Sequence, residues 1–306
     1  MELEGLLDLQ IMMFLLMALG AYLRKKNIIT KDGKNMLTDL VIDVILPCNI
    51  VASFCVELEM QTLKASLSVL LISTLLQLLC TFLSAFCYGG VPKEKRVIMQ
   101  YGTVCSNAAF LGNPVVEGLY GSLGLLYASI YLIPQRIVMW SAGISYFTEQ
   151  PSKREVLKKV VTHPCIIAVA IGLVLMLTGA PLPGFLDRGI RTLGNCTTAM
   201  TMLLIGSILA DANCKRLVTP LTLVYSAIRL LGIPLVVMAG CALFHIDATA
   251  AGVCVVLAAM PAGSITAILA AKYHGDEVFA SQCVVFSTLL SMILLPLWQI
   301  VLRMVF

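Results

Sequence analysis

Asparagine, serine, proline and glycine gather at two places in this chain where the surrounding residues are apolar. One run reads Tyr101-Gly-Thr-Val-Cys-Ser106-Asn107-Ala-Ala-Phe-Leu-Gly112-Asn113-Pro114, the other Ala258-Ala-Met-Pro261-Ala-Gly263-Ser264-Ile-Thr266. Proline removes a backbone donor and clashes with the preceding turn, and glycine weakens a helix, so each segment is expected to break. A helix restarting after a break turns free N–H groups and the positive end of its dipole toward the gap, an arrangement that holds anions. Asn107 would add an amide donor to a carboxylate, and Ser264 or Thr266 a hydroxyl. Ser106, Asn113, Pro114, Pro261 and Gly263 complete the candidate set on these two segments. A pair of proline-kinked packing helices whose Asn and Ser side chains bond their neighbours is the alternative. The matched pair favours the binding site.

A third candidate segment is Leu40-Val-Ile-Asp43-Val-Ile-Leu-Pro47-Cys-Asn49-Ile, which contributes Pro47 and Asn49. Asp43 is an ionisable group in an apolar run, a candidate for coupling to a proton or cation. It also stands about two turns from a span end, where water would solvate it. Arg136 and Arg229 are the other charges inside apolar runs, and a buried guanidinium needs a carboxylate, several carbonyls or an anionic ligand. Substrate binding and pairing between helices fit both arginines equally. His163, His245 and His274 share no ligand spacing, so no metal site and no cofactor is assigned. Of the eleven cysteines, Cys48, Cys80, Cys87, Cys105, Cys241, Cys254 and Cys283 sit in apolar runs and are expected as buried thiols.

The elements that must position these residues are membrane helices. Hydrophobic residues make up 59% of the 306 positions and charged ones 12%, with a mean hydropathy of +0.94. A water-soluble domain could not hide that much apolar surface. The opening acids Glu2, Glu4 and Asp8 are unlike a signal peptide, so the first apolar stretch is expected to stay as a span. Apolar stretches bounded by charge, Gly or Pro place ten spans near 5–23, 36–56, 63–88, 97–119, 123–147, 161–180, 190–210, 219–244, 248–272 and 278–304. The fold class is therefore an all-α integral membrane protein with ten transmembrane helices.

Fifteen Lys and Arg fall in the odd-numbered connections, among them Arg24, Lys31, Lys34, Lys93 and Lys215, against Lys64, Arg188 and Arg191 in the even ones. That asymmetry puts the odd connections in the cytoplasm and both termini outside, in the plasma membrane. The polar stretch 148–163 leaves five spans on each side. An odd count forces the halves into opposite orientations, the plan of an inverted repeat. Residues 1–148 are expected as one five-helix repeat, 149–162 as a cytoplasmic linker, and 163–306 as the second repeat. Within the linker, residues 151–161 read as a short amphipathic helix facing lipid headgroups, and no nucleic-acid binding is inferred.

The segment Ser106-Asn107-Ala-Ala-Phe-Leu-Gly112-Asn-Pro114 resembles the fourth-helix signature of the auxin efflux carrier family, which includes plant PIN proteins and prokaryotic permeases of the malate type. Met260-Pro261-Ala-Gly263 with Leu269-Ala-Ala-Lys272-Tyr273 resembles its ninth-helix signature. Leu46-Pro47, Ala199 to Gly206, and Phe286 to Ser291 with Pro296 are similar to its second, seventh and tenth helices, so the likeness runs along the whole chain. The resemblance implies broken fourth and ninth helices that cross, an elevator-like movement of a transport domain against a scaffold, and a homodimer. It also implies that Asn107 contacts a substrate carboxylate. Ser106 stands where the plant proteins have proline, and the long cytoplasmic loop of many plant members is missing. Prokaryotic members are associated with malate, malonate and similar carboxylates, which sets the expected substrate class.

A secondary transporter for a small organic anion is thus the expected function, with a proton or Na⁺ as candidate coupling ion. A sodium-coupled carrier similar to bile acid symporters, and an anion channel, are the alternatives. An enzyme is disfavoured, because no serine-nucleophile motif, paired intramembrane aspartates or H-E-x-x-H helix occurs. Neither does a phosphate-binding G-x-x-x-x-G-K-[ST] loop, which disfavours an ATP-driven pump.

Overall fold

The computed structural model describes residues 3–55, 59–139, 146–147, 153–211, 217–273 and 275–306. The far end of the expected fifth span, the start of the linker, Lys215, Arg216 and His274 lie outside them. Among the described residues every regular element is helical. In chain order these are α1 (Leu3–Lys25), α2 (Lys31–Leu40), α3 (Leu46–Phe54), α4 (Met60–Cys87), α5 (Lys93–Val104), α6 (Asn113–Val138), α7 (Lys153–Val161), α8 (Pro164–Thr178), α9 (Gly184–Gly194), α10 (Thr197–Asp211), α11 (Pro220–Ala227), α12 (Ile233–Leu243), α13 (Ala248–Ala258), α14 (Ile265–Lys272) and α15 (Glu277–Val305).

Among the described residues six continuous runs are long and apolar enough to cross a membrane: Lys31–Phe54, Met60–Cys87, Ala108–Val138, Gly184–Asp211, Pro220–Leu243 and Glu277–Val305. Pro164–Thr178 and Ala248–Ala258 are shorter apolar helices. Their outer faces carry exposed Leu71, Leu75, Leu78 and Phe82 on α4, Val174 and Leu177 on α8, and Ile293 and Leu297 on α15. Surface this apolar belongs against lipid. Cys87 is exposed and Cys48 half-buried, so these two depart from the expected burial while Cys80, Cys105, Cys241, Cys254 and Cys283 follow it.

Local sequence sets the helix ends. Thr30 and Asp247 accept from backbone N–H groups at the starts of α2 and α13, Thr219 and Thr222 form a capping box on α11, and Gly179 closes α8 at φ +63°. Three prolines are absorbed without ending a helix. Pro47, Pro114 and Pro234 each occupy the second position of a helix preceded by one π-helical turn: Val41–Ile45, Ala108–Gly112 and Ile228–Gly232. The wider turn makes room for a ring that would otherwise strike the preceding carbonyls, so the chain stays helical through all three sites. The expected break at Gly112 and Pro114 is therefore corrected: the helix is interrupted earlier, at Cys105–Asn107. A second interruption inside the long run comes at Gly121, whose φ of +63° and ψ of −154° turn a corner between the expected ends of spans four and five. The expected seventh span begins partway along α9 and passes through the junction between α9 and α10.

The helices sort into two bundles, each drawing on both halves of the chain. In the first, α1 lies along α10, and α3 packs on α8 and α9. Gly20 faces the backbone of Leu203, and Gly206 faces the backbone of Met17, so α1 and α10 touch main chain to main chain. In the second bundle α4 packs on α5 and α6, α13 on α6 and α12, and α15 on α11 and α14. The bundles meet chiefly where α3 touches α6, α1 touches α15, and α10 touches the π-turn after the first break.

Candidate functional site

The two interruptions meet. Ser106 and Ala262 form an antiparallel bridge, in which the Asn107 N–H donates to the Pro261 carbonyl at 2.8 Å and the Gly263 N–H donates to the Cys105 carbonyl at 3.2 Å. Each break thus satisfies backbone groups freed by the other, which a broken helix inside lipid requires. Glycine fits closely at 263, where a Cβ would lie 3.1 Å from the Cys105 carbonyl oxygen. Gly112 is similarly pressed, its Cβ position lying 2.6 Å from Leu257 of α13.

Side chains from the helices that follow the breaks hold the junction. Gln135 of α6 donates to the Ser106 carbonyl at 2.8 Å and accepts from the Ser106 hydroxyl at 3.0 Å. Ser287 of α15 accepts from the Ala262 N–H at 3.2 Å. Neither was found from the sequence. Gln135 lies 29 residues from Ser106, and its only signal was a polar side chain beside Pro134 in an apolar span. The Ser106 hydroxyl is consequently spent on Gln135.

Other candidates are brought to the junction with polar atoms to spare. Asn107 is 4% exposed and its Nδ2 has no hydrogen-bond partner; Asn113 is fully buried and neither end of its amide has one. Thr266, also fully buried, leaves its hydroxyl unbonded. Buried polar atoms without partners are rare in folded proteins and call for an explanation. Pro114 is buried beside Asn113. Ser264 lies at the edge of a cavity of about 510 Å³ between α2, α10, α14 and α15, whose wall includes Lys31, Lys34, Asp39, Asp211 and Glu277. Lys34 and Arg24 are both bonded to Asp211, which leaves the wall close to electrical balance.

The remaining candidates sit elsewhere. Pro47 is half-buried in the first turn of α3, and Asp43 is exposed in the π-turn before it. Asn49 is buried and donates to Glu117 of α6 at 3.1 Å. Arg136 and Arg229 are 4% and 3% exposed, and neither joins an ion pair among the described residues. The π-turn that carries Arg229 is tied by the Trp298 indole, which donates to the Leu230 carbonyl at 2.9 Å. Glu117 is a charge the sequence reading passed over, since it fell at the end of an expected span. Its place four residues after Asn113, on the same helix face, was the available signal.

A helical chain with apolar outer faces and two interrupted helices that cross is the architecture of a multi-pass membrane transporter. The profile of the membrane transport protein family matches residues 8–159 and 151–299, and the chain belongs to this family, the auxin efflux carrier family. A protein of Methanothermobacter thermautotrophicus named an uncharacterized transporter is 27% identical over 294 residues, which cover 94% of this chain and 95% of that protein. Another uncharacterized transporter, from Methanocaldococcus jannaschii, is 21% identical over 305 residues covering 95% and 97%.

Proposed function

We propose that the protein is a secondary transporter that carries a small organic anion, a carboxylate of the malate or malonate kind, and that binds it at the crossing of the two breaks. The observation that carries this reading is the buried, unpartnered Asn107 amide at the start of the helical run that begins with Ala108. The first N–H groups of such a run have no partner within the helix, and the dipole there favours negative charge. At α14 the N–H groups of Thr266 and Ala267 already donate to Gly263 and Ser264. The anion therefore belongs on the Asn107 side, with Thr266 as an accessory hydroxyl. A dipole end contributes about 0.3–2 kcal/mol and a hydrogen bond to a charged group about 1.5–3 kcal/mol.

The division into two bundles supports alternating access. The second bundle carries both breaks and slides against the first, which serves as scaffold and as the contact surface of a homodimer. Supporting two inverted five-helix repeats of residues 1–148 and 163–306 is the like treatment of each break: Ser106 pairs with Ala262, and each is braced by a later helix, through Gln135 and Ser287. By the charge asymmetry both termini face outward from the plasma membrane, so the cavity beside Lys31 opens to the cytoplasm and the conformation is inward-facing. A voltage of 100 mV changes the energy of one transported charge by about 2.3 kcal/mol. Export of an anion from a negative-inside cell needs no coupling ion, whereas uptake does.

Two results are expected. Any transported carboxylate should raise the melting temperature of the purified protein in a saturable way, by mass action on the folded state; a panel of mono- and dicarboxylates without a single saturable shift would refute binding of this class. Pro261→Ala should express normally yet lose most of its transport, because exchanging proline for alanine favours helix by about 3 kcal/mol and invites α13 to run through the break. Wild-type flux in that variant would count against the crossing as the working element.

A further inference from the structure

Glu117 is the one carboxylate in α6, and it touches the opposing bundle. Its Oε2 accepts from Asn49 Nδ2 at 3.1 Å, and Asn49 is 3% exposed in the scaffold helix α3. Gly194 of α9 lies close behind Asn49, a Cβ there falling 3.0 Å from Asn49 Cα. By the charge asymmetry, the contact joins the outer part of the run Lys31–Phe54 to α6 just before its corner at Gly121, while the cavity lies at the inner ends of the bundles.

No cation pairs with this carboxylate among the described residues, whose ion pairs are Arg24–Asp211, Lys34–Asp211 and Arg191–Asp187. Packed around α6 are α1, which brings Leu9 against Gly118 and carries exposed Asp8, and α3, with half-buried Cys48 next to Asn49. On α4 the titratable groups are exposed Lys64, buried Cys80 and exposed Cys87. α13 offers buried Cys254, and α8 buried Cys165 near the far end of α6. Exposed Arg303 stands on α15, whose Gln299 meets Tyr120. On α7, which packs at that far end too, Arg154 and Lys158 are exposed. Glu117 is half-buried between the bundles, and any slide of α6 along α3 takes its carboxylate away from the Asn49 donor.

We propose that Glu117 is a proton-sensitive latch that makes the movement of the second bundle depend on pH. Ionised, it latches α6 to α3 through a charge-assisted bond to Asn49; protonated, it is a neutral and weaker partner that the second bundle can carry past the scaffold. The proton comes from water onto a carboxylate oxygen of Glu117 and returns to water, with no covalent step, and the second bundle moves in both directions with Glu117 protonated. The inference rests on the alternating-access reading above.

The first arm of the test needs no substrate: infrared titration of the purified protein and of Glu117→Gln. The proposal expects a carboxylic-acid carbonyl band that titrates with pH and is missing from the variant; identical titrations overturn it. In the second arm, wild-type and Glu117→Gln proteoliposomes are compared for carboxylate flux across pH. Wild-type flux should fall toward about tenfold per pH unit above its midpoint, as the protonated fraction falls, and the variant should stay flat. Asn49→Ala, which removes the latch from the other side, should raise flux at high pH. A variant as steep in pH as the wild type overturns the proposal. A titrating band without any carboxylate flux in the wild type would instead leave the proton site standing and remove the transport reading.

Discussion

Gly206→Ala should lower the melting temperature of the detergent-solubilised protein by roughly 3–5 °C, a loss of about 2–3 kcal/mol at the slope expected for a chain of this size. The reason lies in the seam between α1 and α10. A Cβ on Gly206 would fall on the Met17 carbonyl and within 2.7 Å of its carbon, and Gly20 meets Leu203 in the same way from the other side. The obstructing atoms are backbone, so no side-chain rotation relieves the clash and α1 must back away along its length. Membrane helices gain little from the hydrophobic effect when they associate, and close backbone approach is what small residues supply. Gly240, whose Cβ position meets nothing, is the matched control and should tolerate alanine. Equal melting curves for the two variants would show that the seam contributes little.

Asn107→Ala is expected to act in the opposite sense, weakening substrate binding roughly ten- to hundredfold while leaving the melting temperature nearly unchanged. The fold uses the Asn107 backbone, which bonds Pro261, but nothing bonds its Nδ2. Removing that amide deprives the anion of a donor and deprives the protein of no hydrogen bond of its own. Gln135→Ala provides the contrast. Both ends of that amide are engaged with Ser106, so truncation leaves a buried hydroxyl and carbonyl unpaired and should destabilise the junction itself. Isothermal titration with a stabilising carboxylate would separate the two variants. An unchanged affinity in a well-folded Asn107→Ala protein would remove that residue from the site.

The two breaks were legible in the sequence because Pro261 and Gly263, and Asn107 with Gly112 and Pro114, are unusual in apolar spans whatever they pack against, and the family resemblance implied that the broken helices cross. Where the first break falls was not legible. A proline can end a helix or be absorbed by a wider turn, and the choice at Pro47, Pro114 and Pro234 depends on neighbours such as Trp298, which bonds the carbonyl of Leu230. The braces Gln135 and Ser287 escaped for the related reason that their partners are distant in sequence. Asp43 drew attention as a charge in an apolar run, but its side chain is exposed, whereas Glu117 looked like a span-end residue and sits between the bundles. Sequence spacing locates a charge along a helix; only packing decides which way it faces.

Charge movement across proteoliposomes containing the purified protein, challenged with mono- and dicarboxylates at two pH values with and without Na⁺, tests the central claim most directly. The account predicts saturable flux for at least one small carboxylate, seen as current or, for electroneutral exchange, as counterflow of labelled substrate, and strongly reduced in Asn107→Ala. The absence of both current and counterflow for every carboxylate, from protein that melts as a folded species, would contradict it.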